Sequence, residues 1–543
     1  MSLVIDRRAL LAAAGLGLGG LMLPAGRLAA HIIGVATGFT HNVASGEPAP
    51  DSVLLWTRFK PAMSETARVT VELSETADFA KIVGGGQMIT GPWRDYTVKI
   101  TVDGLRPGTT HFFRFIGPDG SKSPTGRTKT LPIGDVKNFN IAIFSCSNLG
   151  FGYFNAYAHA AARSDIDLVL HLGDYFYEYK RGGYDQSGNP RVLETIPEHE
   201  ILDIADYRLR YAAYRADPDL QAMHQNFAVI PNTDDHEGAN DAWEGGAQNH
   251  QPDEGEWTNR RNAAMQAWHE WLPVGEQPWK RYDIGMLASY LRTDSRMIAR
   301  SRPWSLSEIV DGKDAAKALP QFRDGAWRDS AATMFGSEQE SWITHMLGQS
   351  VRSKAAWQIV GSGTVMGKSL MPLDAEGWID PNAPPRNRAY TMMGIAAAKA
   401  DLPFNLDNWG GYPAARARFL QSAQASASDL IVVSGDSHNA WANDLIEGGK
   451  PAGVEFGGHS VTSPGYESAV RVDPSIVAQA LVKASPELRW CDTSNRGYMH
   501  LSLTPGSATN QWIFMNSVAS RTLATKPGKS LRVRKGRNML DAV

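Results

Sequence analysis

The chain has 543 residues, two cysteines and a formal net charge of −3. Near-neutral charge without a long run of Lys or Arg excludes a nucleic-acid groove or a polybasic membrane contact as the leading reading. The length exceeds one ordinary domain and points to two or three, and 43% hydrophobic residues suffice for a large core. Sixteen tryptophans are many for this length; they are expected to fill cores more often than to line a substrate cleft.

In chain order, Asp6-Arg7-Arg8-Ala9-Leu10-Leu11 sets an arginine pair before an apolar Gly- and Ala-rich stretch ending near Leu23. That stretch is short for a span of ~20 apolar residues. Small residues from Ala25 to Ala30 suit cleavage, so residues 1–30 are expected to be a twin-arginine export signal read by its translocon. An uncleaved anchor is the alternative. No later segment is apolar enough to span a bilayer, so the mature chain is expected in the periplasm or outside the cell.

Residues 31–134 carry short alternating strands at Ser52–Arg58, Val69–Leu73, Tyr96–Val102 and His111–Phe115, with a Leu105-Arg106-Pro107-Gly108-Thr109 corner. The pattern predicts an all-β domain, a fibronectin III- or immunoglobulin-like sandwich. From residue 135 the texture changes. Strand Asn138–Phe144, a helix from about Phe154 to Arg163 and strand Leu168–Leu172 make a βαβ unit. Further buried strands are predicted at Phe227–Ile230, Ala356–Val360 and Leu430–Val433, and helices at Arg260–Trp271 and Ser337–Gln349. Residues 135–543 therefore read as one α/β unit that ends in a strand-like Lys529–Arg534.

Four apolar runs end in turns rich in metal-type ligands. They are Phe144-Ser145-Cys146-Ser147-Asn148, Gly173-Asp174-Tyr175-Phe176-Tyr177-Glu178, Asp234-Asp235-His236-Glu237 with Asn240 and Asp241 beyond, and Ser434-Gly435-Asp436-Ser437-His438. One Gly-Asp after a strand is usually a turn. Four such segments, each after a buried run, point to a shared centre. Cys146, Tyr177 and His438 suit a transition metal, the anionic pair favouring ferric iron, whereas Asp235, Asn240 and Asp436 offer oxygen for a hard cation. Asp174 could bridge two ions about 3.5–4 Å apart, which would clamp a phosphoryl group and acidify a water. His236 is then either the general acid for the leaving group or a hydrogen-bonder behind the ligands. Asn148, Arg260, Arg261 and His250 could contact phosphate, although helix-surface charge is the commoner explanation for the arginines. Cys146 is read as a ligand thiolate and Cys491 as a passive buried thiol, with a disulfide between them as the alternative.

These segments, together with Val43–Pro48, Asp294-Ser295-Arg296 and Glu338–Trp342, resemble the PhoD-like alkaline phosphatase and phosphodiesterase family of the calcineurin-like metallophosphoesterases. The resemblance implies two packed mixed β-sheets flanked by helices behind the sandwich. It also implies iron held by Cys146, Asp174, Tyr177 and His438, and calcium held by Asp174, Asp235, Asn240 and Asp436, with Zn²⁺ or Mg²⁺ as other choices. Asp174 and His236 would carry the chemistry on a small phosphate ester. Two departures, Thr233 and Gly410 where the family often has tryptophan and aspartate, touch no expected ligand. Phosphotriester hydrolysis, a non-catalytic surface binding protein and an iron oxidoreductase are the competing readings.

Overall fold

The computed structural model describes residues 36–184, 189–379 and 385–541, the side chains of 385–387 excepted. The export signal expected at residues 1–30 lies outside them. Among the described residues no helix is long and apolar enough to cross a membrane.

The N-terminal strands are β1 (Gly38–Gly46), β2 (Val53–Lys60), β3 (Ala67–Ser74), β4 (Ile82–Thr90), β5 (Thr97–Val102), β6 (Thr110–Ile116) and β7 (Gly126–Lys129). β4-β3-β6-β7 form one sheet, and β1-β2-β5 face it across a core that includes Val53, Leu55, Val69 and Phe113. This is the expected sandwich, with one addition that local pattern does not show. β1 pairs in parallel with β10 (Ala228–Pro231), so the second layer of the sandwich continues into the α/β region. β2 is consequently buried on both faces. Leu55 packs into the sandwich, while Trp56 points into the neighbouring α/β core, where its indole N–H donates to the Glu270 carbonyl at 2.8 Å.

The α/β region holds two packed sheets. The first runs β20-β19-β18-β8-β9-β10-β1-β2-β5, using β8 (Phe139–Phe144), β9 (Leu168–His171), β18 (Gly497–Leu503), β19 (Ser507–Met515) and β20 (Thr525–Lys526), with β21 (Ser530–Arg534) also on β19. The second runs β11-β12-β13-β14-β16-β15-β17: β11 (Lys280–Ile284), β12 (Ala288–Arg292), β13 (Trp357–Ser362), β14 (Leu430–Ser434), β15 (Ala440–Glu447), β16 (Lys450–Gly457) and β17 (Leu488–Asp492). Ile141, Leu170, Ile230 and Leu501 of the first sheet meet Tyr290, Ile359, Ile431 and Phe456 of the second in one core. Helices α1 (Asn155–Ala161), α2 (Ile204–Arg215), α3 (Pro218–Asn226) and α4 (Trp257–Trp271) cover the outer face of the first sheet. Over the second sheet lie Gly336–Arg352 and Pro413–Ala425. Strands buried on both faces read as continuous apolar runs, which is why β8, β9, β13 and β14 were visible in the sequence.

β8, β9 and β10 are parallel neighbours, as are β12, β13, β14 and β16. Their C-terminal ends therefore open toward one rim, where loops from both sheets meet.

Candidate active site

Cys146 follows β8, Asp174 follows β9, Asp234 and Asp235 follow β10, and Asp436 and His438 follow β14. Five residues of this rim take left-handed backbone: Cys146 (φ 59°), Asp174 (φ 52°), Asp241 (φ 51°), Asp436 (φ 67°) and His438 (φ 61°). Each such residue costs about 1–3 kcal/mol and persists only where its surroundings over-determine it. Gly173 (φ 107°) shows how tight the rim is, since a Cβ there would collide with the Asp234 backbone. Only glycine lets the second and third loops touch.

Cys146, Asp174 and His438 present ligand atoms that lie within 4.8 Å of one another. The Tyr177 hydroxyl joins them, 3.2 Å from Asp174 Oδ2 and 2.9 Å from His438 Nε2, and it accepts from Ser463 Oγ at 2.8 Å. The Pro464 carbonyl lies 2.9 Å from His438 Nδ1, which assigns the proton to Nδ1 and leaves Nε2 as a lone-pair donor. Burial lowers the His438 pKa to about 3, so the ring is neutral. Burial, and then Asp174, push the Cys146 thiol well above its usual range; burial and Asp174 do the same to Tyr177.

A second set shares Asp174. Asp174, Asp235 and His236 lie within the same reach, as do Asp234 with Asp235 and Asp436, and Asp235 with Asp241 and Asp407. Burial followed by neighbouring carboxylates raises Asp241, and burial raises Asp436 to about 6. Burial would raise Asp235 too, but His236 and Arg296 hold it below the ordinary range. Arg296 is a fully buried guanidinium paired with Asp234 at 2.7 Å and with Asp407, and it stands 3.6 Å from Asp436.

Two buried glutamates set the loops. Glu237 accepts from the backbone N–H groups of Asp234 (2.7 Å), Tyr175 (2.7 Å) and Asp174 (3.2 Å), tying the second loop to the third. Glu178 holds His236 Nδ1 at 2.6 Å and accepts from Asn240 N and Asn249 Nδ2. Burial alone would lower the His236 pKa, but Asp235, Glu178 and Asp174 raise it well above 6.5.

The donor set fits metal. One Asp174 oxygen and one Asp234 oxygen are buried without a hydrogen-bond partner. A thiol, a phenol and several carboxylates, raised first by burial and then by neighbouring negative groups, need cations to become ionised.

Comparison with known proteins agrees with this geometry. The profile of the PhoD-like phosphatase family matches residues 141–512, and that of its N-terminal domain matches residues 30–132. The chain belongs to the PhoD-like phosphatase family. Alkaline phosphatase D of Bacillus subtilis (strain 168) is 30% identical over 525 residues, which span 91% of this chain and 80% of that protein. A solved structure of PhoD superposes with a TM-score of 0.77 at 29% identity, covering 94% of this chain and 92% of that one. As a member, the chain is a phosphoric ester hydrolase, which removes the binding-protein and oxidoreductase readings.

Within this PhoD-like fold, the structure brings Cys146, Asp174, Tyr177, Asp235, His236, Asp436 and His438 to one rim. Asn240 donates its side-chain amide to Gln248 Oε1 at 3.0 Å, and Asp241 beside it also stands within ligand reach of Asp235. Arg260, Arg261 and His250 are no phosphate clamp. Arg260 is buried against Glu200 and Glu254, Arg261 caps the Glu244 carbonyl, and His250 faces the Gly255 carbonyl. Nor is Arg260 solvated helix-surface charge. Cys146, in the loop after β8, and Cys491, on β17 of the other sheet, are both free, so no disulfide joins them. Sequence reasoning missed Asp407, Arg296, Glu178 and Glu237 as parts of the site. The excess of acids in the third segment was the available signal for Glu237, whereas Asp407 carried none.

Proposed function

We propose that the chain is an exported phosphoesterase that works with ferric iron and calcium, with Zn²⁺ or Mg²⁺ as substitutes at the oxygen-rich position. The observation that carries this reading is Asp174, which stands within ligand reach of both the Cys146–His438 pair and Asp235. Cys146, Asp174, Tyr177 and His438 would hold the softer ion, and Asp174, Asp235, Asp241 and Asp436 the harder one. Such a pair supplies charge neutralisation of the phosphoryl oxygens and an acidified water.

The chain's own residues do the rest. Glu178 orients His236 through Nδ1, and the ring stands within reach of Asp174 and Asp235, where it can give a proton to the departing alkoxide. Arg296 offsets the carboxylates from beneath, which keeps Asp235 ionised. Export rests on the twin-arginine leader, and the substrate class on the open rim.

Asp174→Asn tests the proposal. Metal content by elemental analysis and turnover of a nitrophenyl phosphate ester should both collapse, turnover by more than about a hundredfold. Normal activity in that variant would end this reading. Phenolate and thiolate on ferric iron should also colour the native protein, so a colourless, fully active zinc preparation would rule out iron alone.

A further inference from the structure

A cleft of about 690 Å³ opens directly off the oxygen-rich half of the site, with Asp241 and Asp407 in its lining. Its other walls are aromatic to an unusual degree, with Trp243, Trp304, Tyr390 and Phe404 all facing it. Two of these rings are part-exposed, Trp304 at 39% and Tyr390 at 50%. Trp304 is braced from behind by an edge-to-face contact with Phe322, ring centres 5.2 Å apart, and Tyr390 by Phe404 at 6.5 Å. Large aromatic surface held rigid and left in water at the mouth of an enzyme site is stabilised when a flat ligand covers it. Arg302 adds a polar edge, since its guanidinium lies 5.9 Å over the Trp243 ring and pairs with Glu308 at 2.9 Å.

We propose that this cleft is an ester-arm subsite that selects phosphate esters bearing a planar aromatic group a short linker away from phosphorus, either an aryl alcohol or a nucleoside. The inference rests on the phosphoesterase reading and extends it to the substrate. A phosphoryl group held by a cation on Asp235, Asp241 and Asp407 would have its substituent directed into the cleft, because Asp241 and Asp407 belong to the cleft wall. A ring reaching Trp304 and Tyr390 then stacks on surfaces already held in place, so little side-chain entropy is lost on binding. An alkyl arm of the same length has no face to stack.

The test uses the full chain loaded with metal and non-hydrolysable probes, so that binding is read apart from turnover. Calorimetric Kd values are compared for propylphosphonate, 3-phenylpropylphosphonate and a nucleoside 5′-phosphonate. At least one aromatic probe should bind about tenfold or more tightly than the propyl reference, and the tighter of the two names the source of the ring. Trp304→Ala and Tyr390→Ala should each shrink that ratio to within about threefold, whereas Trp304→Phe should keep most of it. Equal affinities for all three probes, or an aromatic advantage that survives both alanine variants, would overturn the subsite. Absence of nitrophenyl ester turnover in the same preparation would instead strike the phosphoesterase reading, leaving the Kd ratios to be judged separately.

Discussion

Tyr177 and His438, 261 residues apart in the chain, hold phenolic oxygen and imidazole Nε2 2.9 Å from each other. His438 spends Nδ1 on the Pro464 carbonyl, which leaves Nε2 to Tyr177, whose hydroxyl also meets Asp174 and Ser463. A cation placed between them would take both lone pairs. Tyr177→Phe should therefore bleach the native colour and lower iron retention and turnover by at least tenfold. Absorbance spectra with elemental analysis check this, and unchanged colour would place the chromophore on Cys146 alone.

The Glu178–His236 pair makes a separable prediction. Glu178→Gln keeps the shape but removes the charge that fixes Nδ1. We expect kcat to fall by about 10–100-fold with metal content unchanged. If kcat stays at the native value, His236 needs no orientation and serves only as a hydrogen-bonder.

Glu47 joins the sandwich to the second sheet. It accepts from Arg292 Nη1 (2.8 Å) and the Tyr282 hydroxyl (2.9 Å), and also pairs with Lys280. Burial would raise its pKa, but Arg292 and Lys280 bring it to about 2. Glu47→Ala strands the buried Arg292 charge and should cost about 3–5 kcal/mol in urea unfolding. A loss below about 1 kcal/mol would mean that water reaches Arg292 and replaces the carboxylate.

Acid should destabilise the fold through its neutral histidines. Burial brings His171 to about 3 and His269, His459 and His500 to about 4. In the unfolded chain each titrates near 6.5. Between pH about 6.5 and about 4 the unfolded chain thus binds protons that the folded chain refuses, and stability falls as pH falls. Asp219 and Asp436, raised by burial to about 6, and Glu237, raised by burial to about 7, work in the opposite sense over part of that window and offset part of the histidine effect. The urea midpoint should drop steadily from pH 7 to about 4.5. A flat midpoint would contradict the neutral assignments.

Much of the fold was legible because its signals are local. β8, β9, β13 and β14 each carry a mostly apolar, buried run, and the sandwich strands alternate. β12 was not, since Ser289 and Arg292 interrupt its apolar pattern and are tolerated only because Glu47 and Ser350 meet them from distant segments. The same limit explains Asn240 and Asp241. Spacing brings both near Asp235, but only the structure shows the Asp241 carboxylate within ligand reach of Asp235 and Asp407.

From sequence alone came the sandwich followed by an α/β unit, the family, and the four segments with Cys146, Asp174, Tyr177, Asp235, Asp436 and His438, because strand periodicity and ligand chemistry are written in neighbouring residues. Tertiary structure decided that β1 extends the first sheet, that Asp407 and Arg296 sit at the centre, and that Trp304 and Tyr390 wall its mouth. Those relationships join residues far apart in the chain, and only the packing of two sheets rim to rim brings them within a few ångströms.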